Sequence, residues 1–382
     1  TDGSEQTFAL LTPVLGAESP IGSQFRYTDA GVTHTLTYTG TPVQIPLSAL
    51  NTVEFLAPAN VSGAFEIQVQ ALTIDTDPNG GAPVQAISGT ATLTNLVIAP
   101  VADAVTLAVD APAVGLEDTA IPLHVRPTSA DPSETFNITI SQIPAGSVLT
   151  YGGIAQTIGA GSVTIINFSA AVALSITPPL NSNVDFTLSV SGVSVDTAAG
   201  ITSTSAPVSL NMLVDVRGVA DTVTVNTQVL QTSEATVEAN SQKIALSGAI
   251  TSVVPFDNDG SETVSLVITG IPANVNVEGL TYIGGTGSNR VWSGTPAQIN
   301  AANLLVTDAH FSGTINFQIR AVSTENDGNS LTGPTLPVSI QVAPSPEATL
   351  AGQSNLAEDS LTQLNFSIQK PDSNETLESV WI

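Results

Sequence analysis

The sequence predicts an all-β fold: tandem antiparallel β-sandwiches of immunoglobulin or cadherin type, strung in a linear rod. Three observations predict it. Apolar residues alternate with polar ones at a step of two, turn chemistry breaks these runs at short intervals, and several markers recur with a period near 120 residues. A step of two puts alternate side chains on opposite faces of a strand, one toward a core and one toward water.

Along the chain, the first alternating stretch is Thr-rich and holds His34; Phe65, Ile67 and Val69 then face one way. Asp77-Pro78-Asn79-Gly80-Gly81 supplies a turn, because Pro fixes φ and Gly admits positive φ. Phe186, Leu188 and Val190 form the next apolar face. Asn258-Asp259-Gly260 is a turn before Val264, Leu266 and Ile268, with Ser265 between the first two. Gly284-Gly285-Thr286-Gly287-Ser288-Asn289 resembles one turn of a calcium-binding nonapeptide roll. It occurs once, with Asn where that repeat wants Asp, and reads instead as a hairpin turn. Helical spacing is confined to one turn near Pro296–Leu304. Ile315, Phe317 and Ile319 alternate with Asn316, Gln318 and Arg320, before the turn Asn326-Asp327-Gly328.

The period is carried by independent markers. Val101-Ala102-Asp103 recurs 118 residues on as Val219-Ala220-Asp221, and Pro346-Glu347 stands in the same place after another 126. Glu5, Glu134, Glu262 and Glu375 follow Ser, Ser, Ser and Asn at spacings of 129, 128 and 113. Glu117-Asp118, Glu238 and Glu358-Asp359 form a third series, and Gly40-Thr41-Pro42 matches Gly294-Thr295-Pro296. The expected domains are 1–102, a partial sandwich lacking its first two strands; 103–220 and 221–346, complete repeats; and 347–382, the first strands of a further repeat. Because natural domains end in linkers rather than inside strands, this phase implies one of two things. Either the chain is a window of a longer array, or its ends complete each other between neighbouring copies.

Composition removes several function classes. The 382 residues carry 33 acids against 7 Lys and Arg, a net charge of −26, with a mean hydropathy of +0.28. Nucleic acid is not an expected partner, since binding it needs a positive surface. The same shortage of cations argues against a membrane-surface helix, and no apolar run of about 18 residues is present to insert into a bilayer. The chain has no Cys, so disulfides and thiolate metal sites are excluded. The first residues show no signal-peptide pattern. His34, His124 and His310 lie apart in sequence, without metal-ligand spacing or a Gly-x-Ser-x-Gly elbow, so no catalysis is expected.

The acids are the candidate site. Asp257, Asp259 and Glu262 fall within six residues of one turn, and like charges so close repel unless a cation neutralises them. Calcium takes six to eight oxygens from carboxylates and carbonyls. An EF-hand is excluded, since Ile268 occupies the twelfth position from Asp257. Strand parity predicts which acids meet. If the linker enters a sandwich at its top, the second and last loops also lie at the top, and the first loop at the bottom. Asp131, Glu134 and Asp196 then gather with Asp103. Asp221 meets Asp257, Asp259, Glu262 and Asp327, and Glu117 and Asp118 reach the same junction from the preceding repeat. The last junction collects Glu238, Glu347, Asp372 and Glu375.

Val-Ala-Asp at 101–103, Glu117-Asp118-Thr119 and Asp131-Pro132-Ser133-Glu134-Thr135 with Ile143-Pro144-Ala145-Gly146 resemble the extender repeats of giant bacterial RTX-type adhesins. Asp257-Asn258-Asp259-Gly260-Ser261-Glu262-Thr263 with Gly270-Ile271-Pro272-Ala273 matches them more fully. The likeness spans essentially the whole chain. It departs at Val237-Glu238-Ala239-Asn240 and at Pro344-Ser345-Pro346-Glu347, where fewer ions are expected. The resemblance implies extracellular, cell-surface sandwiches stiffened by calcium at their junctions, exported by type I secretion and holding cells in biofilms. On this reading the chain is a structural spacer for an adhesive tip, and its partners are neighbouring repeats of one long chain. One alternative is a filament subunit in which 347–382 completes 1–102 of the next copy. Another is a sugar- or protein-binding module built on Trp292 and the few tyrosines (Tyr27, Tyr38, Tyr151, Tyr282).

Overall fold

The computed structural model describes residues 4–381 apart from 17–18, 78–79, 235–240, 258–259, 348, 353–357, 360, 362, 364 and 370–375. Strands dominate. The described helices are α1 (Pro296–Ala301) and three short 3-10 turns. Helix α1 starts where the sequence places it because Thr295 caps it, accepting from the Gln298 N–H while the Gln298 side chain accepts from the Thr295 N–H, with Pro296 at the first position. It stops earlier than expected. Leu304 leaves the helix for a strand opposite Ile244, where it is fully buried.

Three strand groups share one plan. In each, a 13-residue central strand (Gly63–Asp75, Phe186–Ala198, Gly313–Glu325) pairs antiparallel with an earlier strand (Glu5–Val14, Thr135–Ser141, Glu262–Thr269). A second sheet faces this one, and the alternating residues meet between them. Phe25 and Ile45 are fully buried in the first group, Ile138, Leu188 and Met212 in the second, Leu266, Ile268, Ile319 and Ile340 in the third. Burying each such side chain contributes roughly 1.5–3 kcal/mol, so the period-two pattern alone fixes the faces. Gly284–Asn289 is a hairpin turn, with Tyr282 opposite Trp292 across it.

A parallel pairing departs from the antiparallel expectation. Leu230–Ser233 runs parallel to Leu336–Ala343. Its chain first pairs as Val223–Thr227 with Ile250–Pro255, then crosses to the edge of the larger sheet, where it runs the same way as the last strand.

By internal contacts the chain divides into two compact units. One comprises 1–115, 120–177 and 185–215; the other comprises 116–119, 178–184 and 216–382. Glu117 and Asp118, with the loop at 178–184, therefore belong to the unit that holds the linker at 218–221. No helix among the described residues is long and apolar enough to cross a membrane.

Candidate functional site

The site of the second unit begins with a strand register. Glu262 opens its strand directly opposite Glu325, which closes the 13-residue central strand. Like charges facing each other across a ladder destabilise a sheet. Asp257, four residues before Ser261-Glu262 in the preceding turn, adds a third, and one carboxylate oxygen from each of these three acids lies within 4.8 Å of the others. Asp257 and Glu325 are buried; Glu262 is half-buried. Glu262 Oε2 and Glu325 Oε1 are buried and have no hydrogen-bond partner among the described residues.

The linker is strapped over this group by its own backbone. The N–H of Gly218 donates to Asp327 (3.0 Å), that of Val219 to Glu117, that of Ala220 to Asn329 (3.0 Å), and that of Asp221 to Glu262. Four consecutive donors thus find side-chain acceptors from two loops and the strand start. Glu117 is itself set by its N–H, which donates to the Arg217 carbonyl at 3.0 Å. Asp118 accepts from the Asn181 N–H at 2.7 Å, and Asn183 donates to Glu325 at 2.9 Å. Gly218 has no room for a side chain: a Cβ there would lie 2.7 Å from Glu325 Cγ and 2.8 Å from Asn183 Nδ2.

The electrostatics follow from this crowding. Burial, then the nearby Glu117 carboxylate and those of Glu262 and Asp257, push Glu325 up to about 7, against a Ser261 hydrogen bond acting the other way. Burial, Glu262, Asp118 and Asp257 also raise Asp221. Such an assembly of carboxylates in low dielectric disfavours its own ionisation.

Of the residues expected at this junction, Asp221, Asp257, Glu262, Glu117 and Asp118 come together, while Asp259 lies outside the described residues. Asp327 reaches the junction at the linker backbone. It is exposed and holds the Gly218 N–H, and its Oδ1 accepts from Asn329 N–H at 3.0 Å. The central carboxylate is Glu325 instead, because period two turns the side chain of the strand's last residue inward.

The first unit holds a parallel arrangement. Asp131, Glu134 and Asp196 are buried, and Asp103, Asp131 and Asp196 line one open cavity of about 570 Å³. Glu134 accepts from the Asp103 N–H as Glu262 does from Asp221, and its other oxygen is buried with no hydrogen-bond partner among the described residues. The Asp131 carboxylate caps its own turn, accepting from the Ser133 N–H (2.8 Å) and hydroxyl (2.7 Å).

The last linker holds Glu347, whose carboxylate lies 3.9 Å from His310 Nδ1. The expected Glu238, Asp372 and Glu375 lie outside the described residues. A residue missed in the sequence is Glu234. Its N–H donates to the Ala343 carbonyl and its carboxylate accepts from the Ser345 N–H, the same two bonds that Glu117 makes with Arg217 and Val219. A spacing of 117 from Glu117 was the available signal.

The histidines are dispersed. His34 stacks on Tyr27 at 5.0 Å, and His124 Nδ1 lies 2.6 Å from Asp110. Partial burial pushes the Asp110 carboxyl up, but bonds from the His124 side chain and backbone and the charge of Arg126 outweigh it and hold it low. Trp292, Tyr27 and Tyr38 are buried.

These features define a class: tandem β-sandwiches with clustered carboxylates at the linkers. No protein-family model matches the sequence, and no curated protein matches it. Among solved structures, the chain is similar to the cadherin-like domains 1 to 4 of zebrafish RET, at 10% identity and a TM-score of 0.21, covering 90% of this chain and 66% of that one. It is similar to the FN1–FN3 domains of chicken CNTN1 (8% identity, TM-score 0.22, covering 88% and 99%). It is also similar to BcpA, the major pilin subunit of Bacillus cereus (10% identity, TM-score 0.21, covering 89% and 97%).

Proposed function

We propose that this chain is a structural, calcium-stiffened segment of an extracellular bacterial surface adhesin or fibre, with no catalytic role. The observation that carries the reading is the convergence of Asp257, Glu262 and Glu325, with buried carboxylate oxygens on Glu262 and Glu325 that no described group satisfies. Bare, buried, all-oxygen donors with excess negative charge suit a hard divalent cation, and many carboxylates in a loop-built site suit calcium better than magnesium, which keeps its waters.

Asp257, Glu262, Glu325 and Asp221, with Glu117 and Asp118 beside them, would hold it in the second unit. Asp103, Asp131, Glu134 and Asp196 would do so in the first, and Glu347 with Glu234 at the last linker. Bound calcium supplies positive charge that cancels the mutual repulsion. The chain's own part is to tie linker, preceding loop and following strand to one group of acids, so that neutralising the group resists bending of the linker. Between linkers the sandwiches act as spacers, and repeats of this kind carry an adhesive tip away from a cell.

Thermal unfolding and small-angle scattering of the 382-residue chain, in excess calcium and then in EDTA, test this. At a free calcium concentration 100-fold above Kd, each site stabilises the fold by about 2.7 kcal/mol, a rise of several degrees in Tm. The maximum dimension is expected to be better defined in calcium than in EDTA. Identical melting and scattering under both conditions overturn the reading.

A further inference from the structure

The second and third sandwiches each join an opening strand to their closing strand at one edge. Ala113–Leu116 neighbours Val208–Arg217, and Leu230–Ser233 neighbours Leu336–Ala343. The latter pair is parallel, with Leu230 opposite Ile340 and Ser233 opposite Ala343. A parallel pair gives the chain a particular path. From the linker at 218–221 it passes through Val223–Thr227 and enters the N-terminal end of one strand. It leaves for the linker at 344–347 from the C-terminal end of the neighbouring strand. Tension along the chain therefore pulls the two strands in opposite directions along their own axes. The rungs between them are loaded together in shear, whereas a hairpin pulled at its two ends opens one rung at a time.

Each edge is closed by a buried glutamate. Just past Ser233, the Glu234 N–H donates to the Ala343 carbonyl at 3.0 Å, which adds a rung to the ladder. There the last strand runs short of donors, since Pro344 and Pro346 have no N–H. The N–H between them, that of Ser345, donates to the Glu234 carboxylate, so the side chain supplies a rung that the main chain cannot. Glu117 repeats both bonds just past Leu116, with the Arg217 carbonyl and the Val219 N–H. Glu234 is 4% and Glu117 3% exposed. Breaking a bond so deeply buried strands its groups away from water, which costs more than exchanging a surface bond for one to water. The pair Val223–Thr227 with Ile250–Pro255 lies ahead of this edge, and its release alone frees only the few residues up to Leu230.

We propose that this edge, closed by Glu234 in the third sandwich and by Glu117 in the second, is a shear clamp that carries tension along the chain and keeps each sandwich folded under it. The inference rests on the proposed role as a spacer, which puts the chain under tension. It does not rest on calcium, because both bonds are made by the protein's own groups, and its test is run in EDTA, where failure of the calcium reading would leave the outcome unchanged. About 110 residues lie behind the Glu234 clamp and about 100 behind the Glu117 clamp. Failure of one clamp therefore lets out roughly 400 or 360 Å of extended chain, at about 3.6 Å per residue.

Single-molecule stretching at constant force tests it. The chain has no Cys, so one Cys added at each end of the 382 residues gives a unique attachment there. In EDTA, Glu234→Ala is expected to shorten the lifetime of one of these two extension steps about tenfold, the factor for losing one buried bond, and Glu117→Ala that of the other. Glu234→Gln keeps an acceptor oxygen for the Ser345 N–H and is expected to stay within about threefold of the parent. Ile268→Val lies in the core, two strands in from the last strand. It lowers Tm but is expected to leave the lifetime unchanged, since the clamp gives way before the core opens. Should a glutamate variant misfold, the unaltered edge is tested by moving the C-terminal Cys to the exposed position 330, as Ser330→Cys, which takes the pull off Leu336–Ala343. The step is then expected to be at least about tenfold shorter-lived. An unchanged lifetime in Glu234→Ala or on pulling from position 330, or an Ile268→Val lifetime as short as that of Glu234→Ala, overturns the proposal.

Discussion

Glu325 ends a strand whose inward face otherwise carries the apolar Ile315, Phe317, Ile319 and Ala321 and the polar Ser323, all buried. The same parity that buries those apolar side chains turns the last carboxylate toward Glu262 and Asp257. Its carboxyl is raised to about 7, so in the metal-free protein the folded state holds a proton that the unfolded chain releases near 4.5. This contribution to stability is fully present below about pH 4.5 and is lost as pH rises toward 7. Calcium competes with that proton, so its apparent affinity is expected to fall about tenfold from pH 8 to pH 6, read by calorimetric titration at each pH. Glu325→Gln removes one of the crowded charges and keeps the shape. Its Tm in EDTA is expected to rise by a few degrees, about 1 kcal/mol, while its calcium affinity drops, so the variant gains less from calcium than the parent does. A lower Tm in EDTA would mean that the repulsion is not what limits the metal-free fold. Asp327 stands in a turn that its Asn-Asp-Gly chemistry makes conspicuous, whereas Glu325, like Asp196 in the second repeat, is singled out by the alternation of its strand. Counting along the alternating strand leads from Phe186 to Asp196 and, by the same step, from Ile315 to Glu325.

At the level of elements, the linker residues 218–221 are held by acceptors up to 109 positions away in sequence. A backbone N–H that loses its acceptor in a part-buried place costs about 1–3 kcal/mol, so Asn329→Ala, which strips the Ala220 N–H of its partner, is expected to lower Tm by several degrees even with calcium present. Gly218 makes a sharper case. Any side chain there meets Glu325 and Asn183, so Gly218→Val is expected to displace the Glu325 carboxylate and weaken calcium binding at least tenfold without entering a core; affinity equal to the parent's would show that the close approach is immaterial. The period near 120 announced the linkers, and Asp103 and Asp221 were legible from it. Glu234 was not, because its role rests on a bond from its N–H to the Ala343 carbonyl and one from the Ser345 N–H to its carboxylate, made beside a neighbouring strand 111 positions away in sequence.

Across the whole molecule, 33 acids face 7 Lys and Arg, a charge of roughly −9 for each of about three repeats. Part of this repulsion is long-range and screened by salt, since the Debye length falls from about 10 Å at 0.1 M to about 3 Å at 1 M. The part among buried carboxylates is screened much less. Raising NaCl from 0.1 to 1 M in EDTA is therefore expected to raise Tm modestly but not to the value in calcium. Full recovery by monovalent salt would assign the stabilisation to general screening and remove the need for bound ions.

The fold class, the strand faces, the turns, the short helix and the acids near the linkers are legible from the order of the amino acids. Each of these is set by local chemistry: alternation at a step of two, the backbone freedom of Gly and Asn, the cap that Thr295 supplies. The long-range pairings alone set Glu325 beside Asp257 and Glu262 and give Glu234 the part that Glu117 plays. The physical reason is that these depend on strand register and on which edges find partners, and both are fixed by pairings between residues far apart in the chain.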